Sequence, residues 1–222
     1  MAEKYTGQPM DRRYVGEQID ITYSLKRCIH AGKCVIHLPD VFDRHGRPWI
    51  RPNDATPDQI AQVILMCPTG ALHFERKDGG LPETPPPENM ILAWQNGPIQ
   101  FHGDLSVTGT NVDMQEETRL TLCRCGESTN KPFCDNSHTK TGFVSDDRHQ
   151  SIGRETPPAA GGKLRIAVEP DGPYDVSGSV RIVNHVGDLL YQGNHARLCR
   201  CGFSSTRPFC DGTHLKIEFR SE

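Results

Sequence analysis

The sequence lacks any long apolar run. None approaches the roughly 20 consecutive apolar residues that a membrane-spanning helix needs, and hydrophobic residues make up only 35% of the 222, with aromatics at 7%. One large oily core is therefore not expected, and neither is a membrane span. The first twenty residues hold no hydrophobic signal core, and Glu3, Asp11, Glu17 and Asp20 argue against a basic organelle leader. The expectation is a soluble protein of a reducing cytoplasm. Blocks of like charge are missing as well: Lys+Arg 25 against Asp+Glu 28 leaves −3, with no basic stripe to hold nucleic acid. The sequence also shows no Gly-rich phosphate loop, nucleophile elbow or carboxylate pair in a recognisable context, so a stand-alone enzyme is not expected. Finally, an even cysteine count is lacking. Nine cysteines cannot all pair within one chain, which excludes a complete disulfide framework and raises thiol chemistry or metal ligation.

What is present is a repeat. LCRCGESTNKPFCDNSH at 122–138 returns as LCRCGFSSTRPFCDGTH at 198–214, an offset of 76 residues. Upstream of each copy lies an apolar run, a Gly-Pro turn and an alternating run, beginning at Met90 and at Leu164. Glycine (21) and proline (17) are abundant, and they concentrate in two linkers, 78–89 and roughly 145–163. Three segments follow: 1–77, 90–144 and 163–222. Each is in the size range where a core alone is marginal.

The first segment reads as strand, Cys-bearing turn, long loop, helix, strand. Asp20 to Tyr23 is a strand candidate, and Ala71 to Phe74 a returning one. Thr56-Pro57-Asp58-Gln59 is an N-cap, proline-at-N1 and capping-box start for a helix. Ile60, Val63, Ile64 and Cys67 then fall at i, i+3, i+4 and i+7, placing Cys67 on the buried face at the helix end. The repeats read as mostly β with one short helical turn.

Each repeat offers three thiols and an imidazole: Cys123, Cys125, Cys134 and His138 in one, Cys199, Cys201, Cys210 and His214 in the other. Two thiols at alternate positions meet one site only if the backbone curls, which Gly126 and Gly202 permit. Cys and His at i, i+4 share one face of a helical turn, and Asp135 or Asp211 can cap that turn. These donors suit either tetrahedral zinc or an iron-sulfur cluster with one histidine in place of a cysteine. The C-x-C pair favours the cluster, since zinc knuckles usually use C-x2-C.

The two stretches resemble the CDGSH iron-sulfur (mitoNEET-like) family, C-x-C-x2-S/T-x3-P-x-C-D-G-S/T/A-H. Cys199, Cys201, Ser204, Pro208, Cys210, Asp211, Gly212, Thr213 and His214 fill every position of the second copy. The first copy departs once, with Asn136 at the glycine position; Asn is the non-Gly residue most tolerant of left-handed geometry. The resemblance implies one 2Fe-2S cluster per copy, held by two cysteines on one iron and Cys plus His on the other. It also implies two units packed about a two-fold axis, which a tandem chain could build within itself as a pseudo-dimer and remain a monomer. Arg124, Arg200, Lys131 and Arg207 recur, and read either as solvated positive charges or as offsetting cluster charge.

Cys28 and Cys34 enclose IHAGK, and Cys67 opens CPTGAL. With the VFD turn at 41–43, this resembles the divergent mono-cluster ferredoxins over roughly residues 19–74. The full four-cysteine pattern has a further cysteine where this chain has Ala31. Either three thiolates hold a 3Fe-4S cluster, or a 4Fe-4S cluster recruits another ligand, with His30 the nearest candidate. His37, His45, His73, His102, His149, His185 and His195 show no ligand spacing and read as surface or half-buried residues, while Tyr191, Trp94 and Phe209 read as core or cluster shielding.

The fold expected is α+β: a small ferredoxin-like α+β domain, then two mostly-β units. The function expected is one-electron transfer, or storage and delivery of clusters, with redox donor and acceptor proteins or apo iron-sulfur proteins as partners. The alternatives are a zinc-stabilised interaction module and the electron-transfer subunit of a larger oxidoreductase. An imidazole ligand takes up protons in acid where thiolates of an all-cysteine cluster hold on longer. His138→Cys or His214→Cys should therefore slow acid-induced loss of visible absorbance; unchanged kinetics in both variants would refute the assignment.

Overall fold

Three antiparallel strands frame the unit spanning Gly7–Thr84: β1 (Arg12–Tyr14), β2 (Ile19–Tyr23) and β3 (Leu72–Arg76), in that order across the sheet. The computed structural model describes residues 3–145, 147, 153–154 and 161–221; among them the protein is mostly β with few helices. Ile21 pairs with Phe74 in the register of β2 and β3, and Arg13 ties the same three strands by ion pairs to Asp20 at 2.9 Å and Glu75 at 2.7 Å. Two helices follow β2, the short α1 (Lys33–His37) and α2 (Pro57–Leu65). The capping box of α2 forms as its sequence requires: Thr56 Oγ1 accepts from the Gln59 amide, and Gln59 Oε1 accepts from the Thr56 amide. Ile60, Val63 and Ile64 turn inward with Ile19, Ile21, Phe42, Ile50 and Phe74.

Two elements of this unit go beyond the sequence expectation. β1 is three residues long with two exposed arginines, and α1 buries no residue, so neither carries an apolar period to read. Cys67 also differs. The helix ends at Leu65, with Met66 as its cap, so Cys67 lies beyond the helix, half-buried, on the turn before Pro68. His73 is buried rather than half-exposed, with Nδ1 3.0 Å from Glu83.

The second unit takes in Pro85–Glu222 together with Met1–Thr6. Its strands are β4 (Met90–Ala93), β5 (Ile99–Thr108), β6 (Asp113–Leu122), β7 (Gly153–Arg154), β8 (Leu164–Val168), β9 (Tyr174–Asn184) and β10 (Leu189–Leu198), joined in one seven-stranded sheet. The first copy contributes β4 to β6 and the second β8 to β10. Short helices α3 (Ser137–Lys140) and α4 (Thr213–Lys216) close the two motifs. The copies share strands. β4 is antiparallel to β5 of its own copy and parallel to β9 of the other; β8 is antiparallel to β9 and parallel to β5. Met90, the first residue of β4, lies opposite Arg181, and Leu164, the first of β8, lies opposite Leu105. Leu105 and Arg181 are 76 residues apart, the offset that relates the motifs. One core runs through both copies, from Phe101 and Leu120 to Tyr174, Ile182 and Leu198.

Both expected segment ends shift. Tyr5 bridges to Val112 and packs edge-on against Phe133 at 5.6 Å, so the start of the 1–77 segment belongs with the repeats. The expected linker over 145–163 lies largely outside the described residues, yet two parts of it are structural. β7 pairs in parallel with Tyr191 and Gln192 of β10, and Asp147 is fully buried.

The two C-x-C-G loops abut. Gly126 and Gly202 adopt φ +84 and +86, and a Cβ on them would stand 2.6 Å from the Cys201 carbonyl oxygen and 2.4 Å from that of Cys125. Each loop thus presses its bare glycine against the other copy's cysteine backbone. Gly126→Ala or Gly202→Ala should cost roughly 2–4 kcal/mol in thermal or denaturant unfolding, combining left-handed strain with overpacking. Gly142→Ala, at φ +68 with nothing within 4 Å, should cost about 1 kcal/mol, from strain alone.

Candidate metal centres

The two motifs are built alike atom by atom. An isolated bridge joins Leu122 to Phe133 and Leu198 to Phe209, and the Cys123 and Cys199 amides donate to the carbonyls of Pro132 and Pro208 at 2.8 Å. The Ser128 and Ser204 hydroxyls donate to the carbonyls of Phe133 and Phe209. Asp135 accepts from the amides of Thr129 and Ser137, and Asp211 from those of Ser205 and Thr213. Those bonds fold the third cysteine and the histidine onto one short turn. Burial opposes the charge of Asp135, but the bonds from Ser137 and Thr129 outweigh it and hold the carboxyl at about 2; the bond from Thr213 depresses Asp211 likewise. The turn starts left-handed in both copies, at Asn136 (φ 68, ψ 12) and Gly212 (φ 84, ψ 1). Asparagine therefore takes the glycine conformation, as its tolerance of that region predicts.

The donors fall into close pairs. Cys123 and Cys125 place their Sγ atoms 3.7 Å apart, and Cys199 and Cys201 theirs 3.8 Å apart. Cys134 Sγ stands 3.6 Å from His138 Nδ1, and Cys210 Sγ 3.4 Å from His214 Nδ1. A tetrahedral metal atom with bonds of about 2.3 Å to sulfur and about 2.05 Å to nitrogen sets its ligands about 3.8 Å apart for S and S, and about 3.5 Å for S and N. Each pair thus has the edge length of one metal atom's coordination shell. Among the described residues, no three His, Cys, Asp or Glu side chains converge on a single ion. Each pair is therefore spaced to share one metal atom.

Within each C-x-C pair one thiol hydrogen-bonds the other. That contact pulls Cys123 down to about 6 and pushes Cys125 up, and it pulls Cys201 down to about 7 and pushes Cys199 up. Burial raises Cys134 to about 12 and raises Cys210; it lowers His138. The protons held on these thiols are those a metal would displace.

Sequence reasoning missed several supports. Tyr174 Oη donates to the Cys123 carbonyl at 2.7 Å, reaching across from the other copy. Arg124 is fully buried, donating to the carbonyls of Trp94 and Gly97 and pairing with Asp147 at 2.7 Å. Arg207 reaches the Ser145 hydroxyl at 3.2 Å. Asp147 carried no signal because it sits in a stretch that reads as linker. Tyr191 and Phe209 join the core, edge to face at 6.3 Å.

In the Gly7–Thr84 unit, Cys28, Cys34 and Cys67 line one cavity of about 510 Å³ together with His30, Ala31 and Trp49. Burial raises Cys34 to about 11, with Cys67 and Cys28 adding to the effect, so the three thiols sense one another. The buried Arg27 donates from Nε to the Thr69 carbonyl at 3.2 Å, binding the Cys28 and Cys67 loops together. His30 takes φ 56, with Nδ1 3.9 Å from Cys28 Sγ.

Thiol-lined loops with paired donors define a metal-binding class of protein, and comparison with known families makes it an iron-sulfur one. The family described as divergent 4Fe-4S mono-cluster matches residues 14–77, and that described as iron-binding zinc finger CDGSH type matches 96–139 and 171–215. The chain carries one domain of the first family followed by two of the second. Over 66 residues, 30% of this chain, it is 36% identical to "Uncharacterized protein YjdI" of Escherichia coli K12, covering 87% of that protein, and the O157:H7 strain's YjdI matches equally.

Removing the carboxylate from a buried ion pair strands its partner. Asp147→Ala should destabilise the second unit by roughly 3–5 kcal/mol, whereas Glu88→Ala, which breaks the exposed pair with Arg181, should change unfolding by less than about 0.5 kcal/mol.

Proposed function

We propose that the chain is a three-cluster iron-sulfur protein acting in one-electron transfer. In this reading Cys123, Cys125, Cys134 and His138 hold one 2Fe-2S cluster, and Cys199, Cys201, Cys210 and His214 hold another. Cys28, Cys34 and Cys67 hold a 3Fe-4S or 4Fe-4S cluster, and the description of the matching family favours four irons. The observation that carries the proposal is the pairing of donors at the edge length of one metal atom's shell. The descriptions of the matching families, divergent 4Fe-4S mono-cluster and iron-binding, favour iron-sulfur clusters over a zinc-stabilised module.

When bound, such clusters accept and return single electrons. The chain's own residues do the rest. Cys123, Cys125, Cys199 and Cys201 are buried, which keeps water from the donors. Imidazole in place of thiolate removes negative charge and raises the reduction potential relative to all-cysteine ligation. The contact of Gly126 with Cys201 and of Gly202 with Cys125 brings the two motif backbones together and provides a short path between the two sites. The shared strands support reading the copies as an intramolecular pseudo-dimer. Buried donors favour retention of clusters, so redox proteins are the proposed partners ahead of apo acceptors, and no catalytic role in the chain itself is proposed.

Anaerobic iron and sulfide analysis with electron paramagnetic resonance tests this. The expected result is a red-brown protein with about seven or eight irons per chain and matching sulfide, showing two-iron signals plus one from a larger cluster. A colourless anaerobic preparation with stoichiometric zinc would overturn it.

A further inference from the structure

The cavity of the first unit holds a chemistry that the three thiols do not use. Its lining includes four cations, Arg12, Lys33, Arg44 and Arg47, and no aspartate or glutamate. All four are exposed, and among the described residues none is paired with a carboxylate. Arginines elsewhere in the unit differ: Arg13 pairs with Asp20 and Glu75, Arg51 with Asp54, and Arg76 with Asp58 and Asp78. One unpaired surface cation needs no explanation. Four at the mouth of one cavity concentrate positive potential over the thiols within.

Ala31 lines the same cavity, at the position where the four-cysteine pattern places a thiolate. Its methyl has no donor atom. The His30 ring stands 3.9 Å from the Cys28 sulfur, wider than the Cys–His pairs of the repeats at 3.6 and 3.4 Å. The volume, about 510 Å³, falls in the range of small-molecule sites, and its aromatic walls, Tyr23 and Trp49, are of the kind such sites use.

We propose that a low-molecular-weight anionic thiol binds in this cavity and supplies the donor that Ala31 does not, its negative charge held by Arg12, Lys33, Arg44 and Arg47. The proposal rests on the cluster reading of the first unit, in its four-iron form. The thiol gives its proton to solvent and its sulfur bonds iron as a cysteine thiolate does; no electron is transferred. Sulfur is selected because the position is a cysteine's, and negative charge because the rim is cationic without exception.

The full-length protein, reconstituted anaerobically with iron and sulfide, is titrated with mercaptoacetate and separately with the uncharged 2-mercaptoethanol, following the low-temperature electron paramagnetic resonance of the reduced form. Mercaptoacetate is expected to change the larger cluster's signal at a half-saturating concentration roughly tenfold below that of 2-mercaptoethanol. The double variant Arg44→Gln, Arg47→Gln should lose that preference and keep the response to both thiols. Ala31→Cys, which supplies its own sulfur, should respond to neither. An equal response in Ala31→Cys overturns the proposal, as does a response that appears only in His30→Ala. If iron and sulfide are complete and neither thiol alters the signal, the proposal fails alone. If only the iron of the two-iron sites is found, the cluster reading of the first unit fails with it.

Discussion

The second unit depends on the meeting of two backbone loops. Each C-x-C loop curls to bring its two thiols together, at 3.7 and 3.8 Å, and the curl places a left-handed glycine directly against the other copy's cysteine carbonyl. Such an approach leaves no room for a side chain on either loop. It also fixes where the strands can go. With the loops back to back, β4 and β8 enter between β5 and β9 in matching register, and the apolar faces of both copies fuse into one core. Tyr174, a β9 residue of the second copy, bonds the Cys123 carbonyl of the first, so neither cysteine loop is held by its own copy alone. A repeat of this length has a marginal core by itself; interleaving enlarges that core and positions the donors in the same step.

Likeness of the copies ends at charge. Arg124 and Arg200 occupy equivalent positions between paired cysteines, but Arg124 meets Asp147 with both side chains fully buried. Arg200 meets the Glu169 carbonyl at 3.0 Å and the faces of Tyr174 and Phe219 at 5.6 and 5.9 Å, with no carboxylate partner among the described residues. A paired cation presents nearly no net charge to its surroundings, and an unpaired one in a low-dielectric interior presents most of it. The two donor sets, identical in residue type, therefore sit in different electrostatic fields.

The sequence showed the donors more fully than the fold. Thiols and imidazoles at fixed spacing, repeated with their neighbours, are legible because ligation constrains residue type at each position. The α2 start was legible for the same reason, since Thr56, Pro57 and Gln59 each have one role there. Strand exchange between β4 and β9 was not. A parallel pairing across copies leaves no local period, and either partner of a short alternating strand satisfies the pattern equally. Asp147 and the β7 pair were hidden by composition, in a stretch whose prolines and glycines read as linker. Arg27 and Tyr174 were hidden by generality, since an arginine beside a cysteine and a tyrosine after a turn suit many environments.

In the proposed reading the nine cysteines divide among three sites that each use three thiols, and the sites differ in what completes them. In the repeats an imidazole four residues on completes the set, held by a short turn whose aspartate is fixed from two sides, so the ligand cannot be exchanged without undoing the turn. In the first unit Ala31 stands at the corresponding point of the pattern, His30 lies near Cys28, and cations with no carboxylate partner among the described residues line the opening. A closed shell of protein donors keeps a cluster's coordination constant while electrons pass. A cavity with one position free of protein donors and a cationic rim makes the same cofactor responsive to what is dissolved around it. In the proposed reading, the difference between the two kinds of site follows from which side chain stands at a single ligand position.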